Sequence, residues 1–374
     1  MRAPEVRIEK RLHEQRWLLV AVPLGSLAVA FAAIAVILVI TGHSPSSTFR
    51  ELFDAAFLAD GALTNTFVAA TPLAFTGLAA AVAFRMRLFN IGAEGQLYLG
   101  AIGAAGIGLL LGGQSTVVLV VAMTVAGALF GAAWGAIPGF LRAFLRTNEI
   151  ITSLMLNYCA GLLLNYLIFD SQSYWRDSSA TGQLFPQGKI LSDAASWPVA
   201  TIGSVTIPLG FFLAVGVAFA MWLLYVRTRF GFEAQVIGDS PRAARYAGMR
   251  TRRKIVAIMC LSGGIAGIGG ASQIGDVRHV LDARGLQQAN YGYTGIVVAA
   301  LARYNPFAVV LVAFLLGGLQ NAGYTLQGAD FPSGLVGVMQ GLILFAVLGG
   351  ELLVNYRITV SRPGRGTRPA VEPT

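Results

Sequence analysis

The chain has 374 residues, of which 55% belong to the set A, V, I, L, M, F, W, Y and C, another 45 are glycine, and only 12% are charged. Soluble domains take roughly 45–50% of their residues from that apolar set with glycine included, so an ordinary soluble domain is excluded and an all-α, polytopic membrane protein is implied. The net charge of +9 is spread over short segments between apolar runs, where it sets topology and meets anionic lipid, so nucleic acid is not the expected partner.

Residues 1–16 mix bases and acids and form a cytoplasmic N-terminal segment. Residues 17–40 carry no ionisable side chain; at ~1.5 Å per residue they reach across a hydrocarbon core of ~30 Å, which makes them a retained first span and not a cleaved leader. Further apolar runs, uncharged but for Glu94, at 63–84, 88–111, 117–140, 150–169, 207–226, 255–275, 289–302, 307–325 and 333–350 bring the expectation to about ten transmembrane helices in one domain over 17–350. The run 289–302 is short enough to be re-entrant. Outer segments 41–62 and 170–206 are polar; the longer holds Trp175, Pro186 and Trp197, which suit a channel cap, an external docking surface or an ordinary loop with interfacial aromatics. The segment 351–374, whose end is rich in Pro, Gly and Arg, is expected to be a disordered cytoplasmic tail. All but five of the 27 Lys and Arg residues fall on one side of this arrangement; the exceptions are Arg50, Arg176, Lys189, Arg278 and Arg284. Both termini are therefore predicted to be cytoplasmic.

Small residues recur every four positions at Gly92, Gln96, Gly100, Ala104 and Gly108, at Gly263, Gly267 and Ala271, and at Gly337 and Gly341. Such stripes let helices approach closely in lipid. Cys159 and Cys260 lie inside apolar runs, and His13, His43 and His279 share no metal-ligand spacing, so no disulfide framework, metal or cofactor is implied. The nearest approach to a phosphate loop, residues 182–189, has the wrong spacing and Ile190 where Ser or Thr would bind Mg²⁺, so the chain is not an ATPase.

Polar residues inside the runs are the candidate pathway. Asn90 and Glu94, four apart in a helix taken to open near residue 88, would share a face, with Gln96 beyond them. They either line a translocation route or brace backbone amides freed by the adjacent glycines. Thr147 or Asn148 can cap the fifth span, and Ser153, Asn157, Gly161 and Asn165 then form a narrow polar face, with Tyr158 beside it; this face either meets a neutral polar solute or cross-links helices. Asn290 and Tyr291 open the short glycine-containing run that ends at Asn305-Pro306, where an interrupted helix could form a binding site. Gln320 and Asn321 read as helix-packing groups.

The cationic loop 227–254 separates two spans. Asp239 or Ser240 can cap a short helix, Pro241 suits its first position, Arg242, Ala243, Ala244 and Arg245 continue it, and Gly248 can close it. A polar helix on the cytoplasmic face of a chain without a nucleotide site points to a transport channel driven by a separate ATPase.

The blocks FNIGAEGQ (89–96), NEIITSLMLNY (148–158), GFEAQVIGDSPRAARYAG (231–248) and GYTGIVVAAL (292–301) with Asn305-Pro306, in this order, resemble the permease subunits of bacterial nucleoside and simple-sugar ABC importers, within the group that includes ribose and branched-chain amino-acid permeases. The likeness runs from about residue 60 to 350, with Arg303 departing from a more glycine-like neighbourhood. It implies an inner-membrane protein served by an extracytoplasmic solute-binding protein, paired with a second related permease or a copy of itself, and docked on an ATPase carrying two nucleotide-binding modules. Residues 238–248 would then form the coupling helix. The rival reading is an ion-coupled carrier, against which stands the isolation of Glu94 from any second titratable group in the runs.

Overall fold

The computed structural model describes residues 5–10, 18–179, 182, 184–326 and 334–361. In chain order it contains β1 (Glu5–Lys10), α1 (Leu18–Ile40), α2 (Pro45–Phe53), α3 (Ala62–Arg85), α4 (Ala93–Leu110), α5 (Thr116–Phe140) and α6 (Glu149–Asn165). There follow a hairpin of β2 (Val199–Ile202) and β3 (Val205–Pro208), α7 (Leu209–Arg227), α8 (Arg229–Asp239), α9 (Pro241–Tyr246) and α10 (Thr251–Ser272). The last elements are α11 (Ala283–Ala289), α12 (Tyr291–Leu301), α13 (Pro306–Thr325), α14 (Leu335–Asn355) and β4 (Tyr356–Ser361). Several helices widen into π turns at their C-terminal ends, as over Leu141–Leu145, Tyr166–Asp170 and Gln273–Arg278.

Each of the ten apolar runs contains a helix, but not every helix is span-length. Six stretches among the described residues are long and apolar enough to cross a membrane: Ala62–Arg85, Thr116–Leu145, Glu149–Asp170, Leu209–Arg227, Thr251–Arg278 and Pro306–Thr325; the interrupted pair Gly25–Ile40 and Pro45–Leu58 would make a seventh. α12 has 11 residues, roughly half of what a ~30 Å core requires.

The chain divides into two compact units, 1–45 with 337–374, and 46–336. In the first, β1 and β4 pair antiparallel with Glu5 opposite Ser361, so helix and strand occupy 351–361, while 362–374 lie outside the described residues. Gly350 abuts Ser26 of α1 within this unit.

In the second unit α3 is the central helix: every residue from Ala70 to Phe84 is buried. Against it pack α10, α12, α13 and α7, while α5 closes over α4 and α10. The small-residue stripes explain the closeness. A Cβ on Gly100 would fall on the backbone of Gly267, and one on Gly131 would fall on the carbonyl of Gly263, so α4, α5 and α10 meet backbone to backbone. The third stripe behaves differently, because Gly337 and Gly341 have nothing within 4 Å of an added Cβ.

The segment after α6 is folded onto one end of the second unit. Trp175 donates to the Ile102 carbonyl at 3.0 Å, Trp197 is buried over Gly275, and the Thr206 N–H donates to Thr64 Oγ1 at 2.9 Å. Asp177, in the same segment, is held below the usual carboxylate range by the backbone N–H and hydroxyl of Ser179. The opposite end gathers the turn after α3, the start of α4, and α8 to α10.

Candidate functional site

The chain does not enter α4 as a helix from residue 88. Arg87 adopts a left-handed φ of 55°, residues 88–91 are extended or irregular, and α4 begins at Ala93. Asn90 and Glu94 therefore share no helix face, which corrects the spacing argument. Asn90, fully buried, folds back instead: its Nδ2 donates to Gln96 Oε1 (2.9 Å) and Ser262 Oγ (2.8 Å), and its Oδ1 accepts from the Gly92 N–H (2.9 Å) and Gln96 Nε2 (3.1 Å). Ser262 in turn donates to the Ala79 carbonyl at 2.7 Å, tying α10, α3 and the break together.

α6 holds the other side of the break. Asn148 caps it, accepting from the Ile150 N–H at 2.9 Å, and Arg142 pairs with Glu149 at 3.2 Å. One turn on, Ser153 Oγ accepts from the Ile91 N–H at 3.2 Å. Asn157 then substitutes for two missing backbone bonds, donating to the Ile91 carbonyl (2.8 Å) and accepting from the Gly95 N–H (2.9 Å). Of the two uses open to this polar face, its buried members serve cross-linking.

Glu94 performs a similar task across helices. α12 starts after Asn290, whose φ is 50° and whose side chain caps nothing. Glu94, 2% exposed, supplies the missing acceptor: the Gly292 N–H donates to Oε2, and the Tyr98 hydroxyl donates to Oε1 at 2.5 Å. A carboxylate at a helix N-terminus is favoured by the unpaired N–H groups and the helix dipole. Thr76 completes the junction by donating to the Tyr291 carbonyl at 2.9 Å.

A second acid repeats this device and was missed in the sequence reading. Asp276, just beyond the 255–275 run, accepts from the Gly210 N–H at 3.1 Å and so caps α7. Gln320 and Asn321 are packing groups as expected: Gln320 donates to the Ala289 carbonyl and Asn321 to the carbonyls of Ala55 and Ala62.

Beside these closed networks lies an open cavity of about 350 Å³ between α4, α6, α11 and α12. It brings together Glu94, Asn157, Tyr158, Asn165 and Asn290 from the expected polar residues and adds Tyr98, Gln287 and Tyr293. Asn90, Gln96, Ser153 and Tyr291 do not line it. Gln287 donates to Asn165 Oδ1 at 2.8 Å, Tyr293 accepts from Asn157 at 3.3 Å, and Tyr158 is 63% exposed at the rim. Gln287 carried no signal of its own, because α11 is short and its partner Asn165 on α6 is more than a hundred residues away.

At the end where α4 begins, α9 has the expected caps. Ser240 accepts from the Ala243 N–H at 3.3 Å and Pro241 occupies the first position. Gly248, with φ 73°, ends the helix: its N–H reaches the Arg245 carbonyl and that of Met249 reaches Ala244, each at 3.0 Å. Arg242, Ala243 and Arg245 are exposed, Tyr246 is 95% exposed, and Ala244 is buried beneath them. Just before this helix, Gly238 lies against the Arg85 carbonyl, where an added Cβ would approach to 3.0 Å, and Asp239 pairs with Arg87 at 3.4 Å. The end of α8, immediately before α9, thus rests on the turn that leads to Asn90.

Residues 62–348 match the family described as the branched-chain amino acid transport system / permease component. The chain belongs to that family. It is 31% identical to the glucose ABC transporter permease protein of Haloferax volcanii over 99% of this chain and 98% of that one. It is 33% identical to the guanosine ABC transporter permease protein of Bacillus subtilis over 87% and 92% of the two chains, and 29% identical to a nucleoside ABC transporter permease protein of Lactococcus lactis over 95% and 96%. No solved structure matches it. The protein is a multi-pass permease subunit of an ABC importer, ATP hydrolysis belongs to a separate subunit, and the ion-coupled reading is set aside.

Proposed function

We propose that this permease carries a small uncharged polar solute, a nucleoside or simple sugar, through the cavity between α4, α6, α11 and α12. The observation that supports this is the lining: amides from Asn157, Asn165 and Gln287, rings from Tyr98, Tyr158 and Tyr293, no cation, and a carboxylate whose two oxygens already accept hydrogen bonds. Hydroxyls and ring nitrogens find partners there, whereas a phosphate or carboxylate finds no cation to balance its charge. Weak contacts suit passage better than tight ones. Relatives bearing the names glucose, guanosine and nucleoside support the same class.

The rim at Tyr158 and Leu162 faces outward on α6, so a second permease, a copy or a related chain, would close the route there. α9 is the coupling helix, with Asp239 to Ala243, Arg245 and Gly248 contacting an ATPase of two nucleotide-binding modules; Gly238 and Ala244, expected in that contact, are buried within the chain and support it from beneath. Movement of α9 would reach the pathway through Arg87 and the Asn90 turn. The asymmetry of Lys and Arg supports cytoplasmic ends and an inner-membrane setting, with a solute-binding protein delivering from outside.

Reconstitution of the complete transporter with radiolabelled nucleoside and sugar tests this. ATP-driven uptake of one of them by the wild type and none by Ala243→Glu, with the variant chain still inserted and folded, is the expected result; normal uptake by Ala243→Glu refutes the coupling role, and preference for a phosphorylated solute refutes the pathway.

A further inference from the structure

A second cavity, of about 380 Å³, lies where α8 faces the start of α10, next to the end of α9. Its wall includes Phe230, Glu233, Arg250, Arg253, Lys254 and Ala257. The placement follows from the sequence: with α10 beginning at Thr251, Arg250, Arg253 and Lys254 stand three and four residues apart and so share one side of the first turn.

Their states differ. Lys254 is already engaged, its Nζ 2.8 Å from Glu233 and 3.9 Å from the centre of the Phe230 ring. Arg250 and Arg253 are exposed and have no ion pair or side-chain hydrogen bond among the described residues. Arg250 also occupies the cap position of a 22-residue helix without capping it through its side chain; the Thr251 N–H turns back to the Met249 carbonyl, and the positive end of the helix dipole stays uncompensated by any side chain of its own cap. Three cations thus share one carboxylate, and the surplus is carried by two guanidinium groups, whose planar fork suits phosphate oxygens. The same cavity has apolar members: Phe230, and Ala257 well inside a helix apolar enough to cross the membrane.

We infer that this cavity binds a phosphate-bearing anion, its charge held by Arg250 and Arg253 and the group attached to it resting on Phe230 and Ala257. A charged front with an apolar floor at the mouth of a membrane helix matches an anionic phospholipid headgroup better than an acidic protein side chain, which has nothing to lay on that floor. This goes beyond the transport reading and does not need it.

The test is retention of phosphatidylglycerol by the full-length chain, taken from nanodiscs of phosphatidylcholine doped with that lipid and weighed intact by mass spectrometry. The wild type is expected to hold phosphatidylglycerol, Arg250→Ala with Arg253→Ala to lose it on the order of tenfold, and Ala257→Trp to lose it by filling the floor without changing charge. Arg242→Ala with Arg245→Ala, which removes the same charge from α9 outside the cavity, is expected to retain it. Displacement by excess inorganic phosphate identifies the phosphate group alone as sufficient, and resistance to it identifies the lipid; both support the site. Equal retention by the wild type and the Arg250/Arg253 variant overturns it, as does equal loss in the Arg242/Arg245 variant. Release of the lipid when the ATPase docks overturns it in favour of a protein ligand. No arm involves ATP or solute, so failure here leaves the transport reading untouched.

Discussion

The polar knot around Asn90 and the cavity beneath Tyr158 are built from the same residue types, yet they have opposite uses. In the knot every amide atom of Asn90 faces a protein partner, and Gln96, Ser262, Ser153 and Asn157 complete one another or the broken backbone. In the cavity Gln287 and Asn165 bond to each other across α11 and α6, Gln287 also reaching the Gly161 carbonyl, and Tyr158 is exposed at the rim with open space in front of it. Inside a bilayer, side-chain identity therefore says less about solute contact than whether the hydrogen bonds are already taken.

Substitutions can break or sharpen this contrast. The largest effect is expected from Asn90→Leu, which leaves Gln96 and the Gly92 N–H without partners in a buried site and takes from Ser262 its donor; at about 1–3 kcal/mol for each unsatisfied group, the chain should fail to accumulate or lose its thermal transition in detergent. Glu94→Gln comes next. In that variant an NH2 group stands where one of the two accepting oxygens was, so either the Gly292 N–H or the Tyr98 hydroxyl loses its acceptor and stability should fall by about 1–3 kcal/mol, read as a lower midpoint in a thermal shift assay; an unchanged midpoint would show that Glu94 is no brace. Smallest in stability but telling for the contrast is Tyr158→Ala at the exposed rim. Stability should stay within about 0.5 kcal/mol of wild type while the solute concentration for half-maximal uptake rises severalfold. If that variant instead behaves like Asn90→Leu, the division between the two regions fails.

Much of the fold was legible because its signals are local. The apolar runs mark the helices, and Ser240, Pro241 and Gly248 announce both ends of α9 within nine residues. Asn305 and Pro306 do the same for α13, where Asn305 accepts from the N–H groups of Phe307 and Ala308. The knot was only half legible: its members could be named, but the helix was expected to continue through them. That Asn90 would leave the helix and bond to Ser262 depends on a partner 172 positions away. Asp276 shows the same limit, since nothing near it in the chain reveals that Gly210 needs an acceptor.

The contact of Gly100 with Gly267 and of Gly131 with Gly263 bears on how the pump changes shape. Three rods touching along their spines leave no cushion of side chains to slide upon, so they must travel as a single plank. Whatever opens and shuts during a transport cycle has to be sought at the edges of that plank.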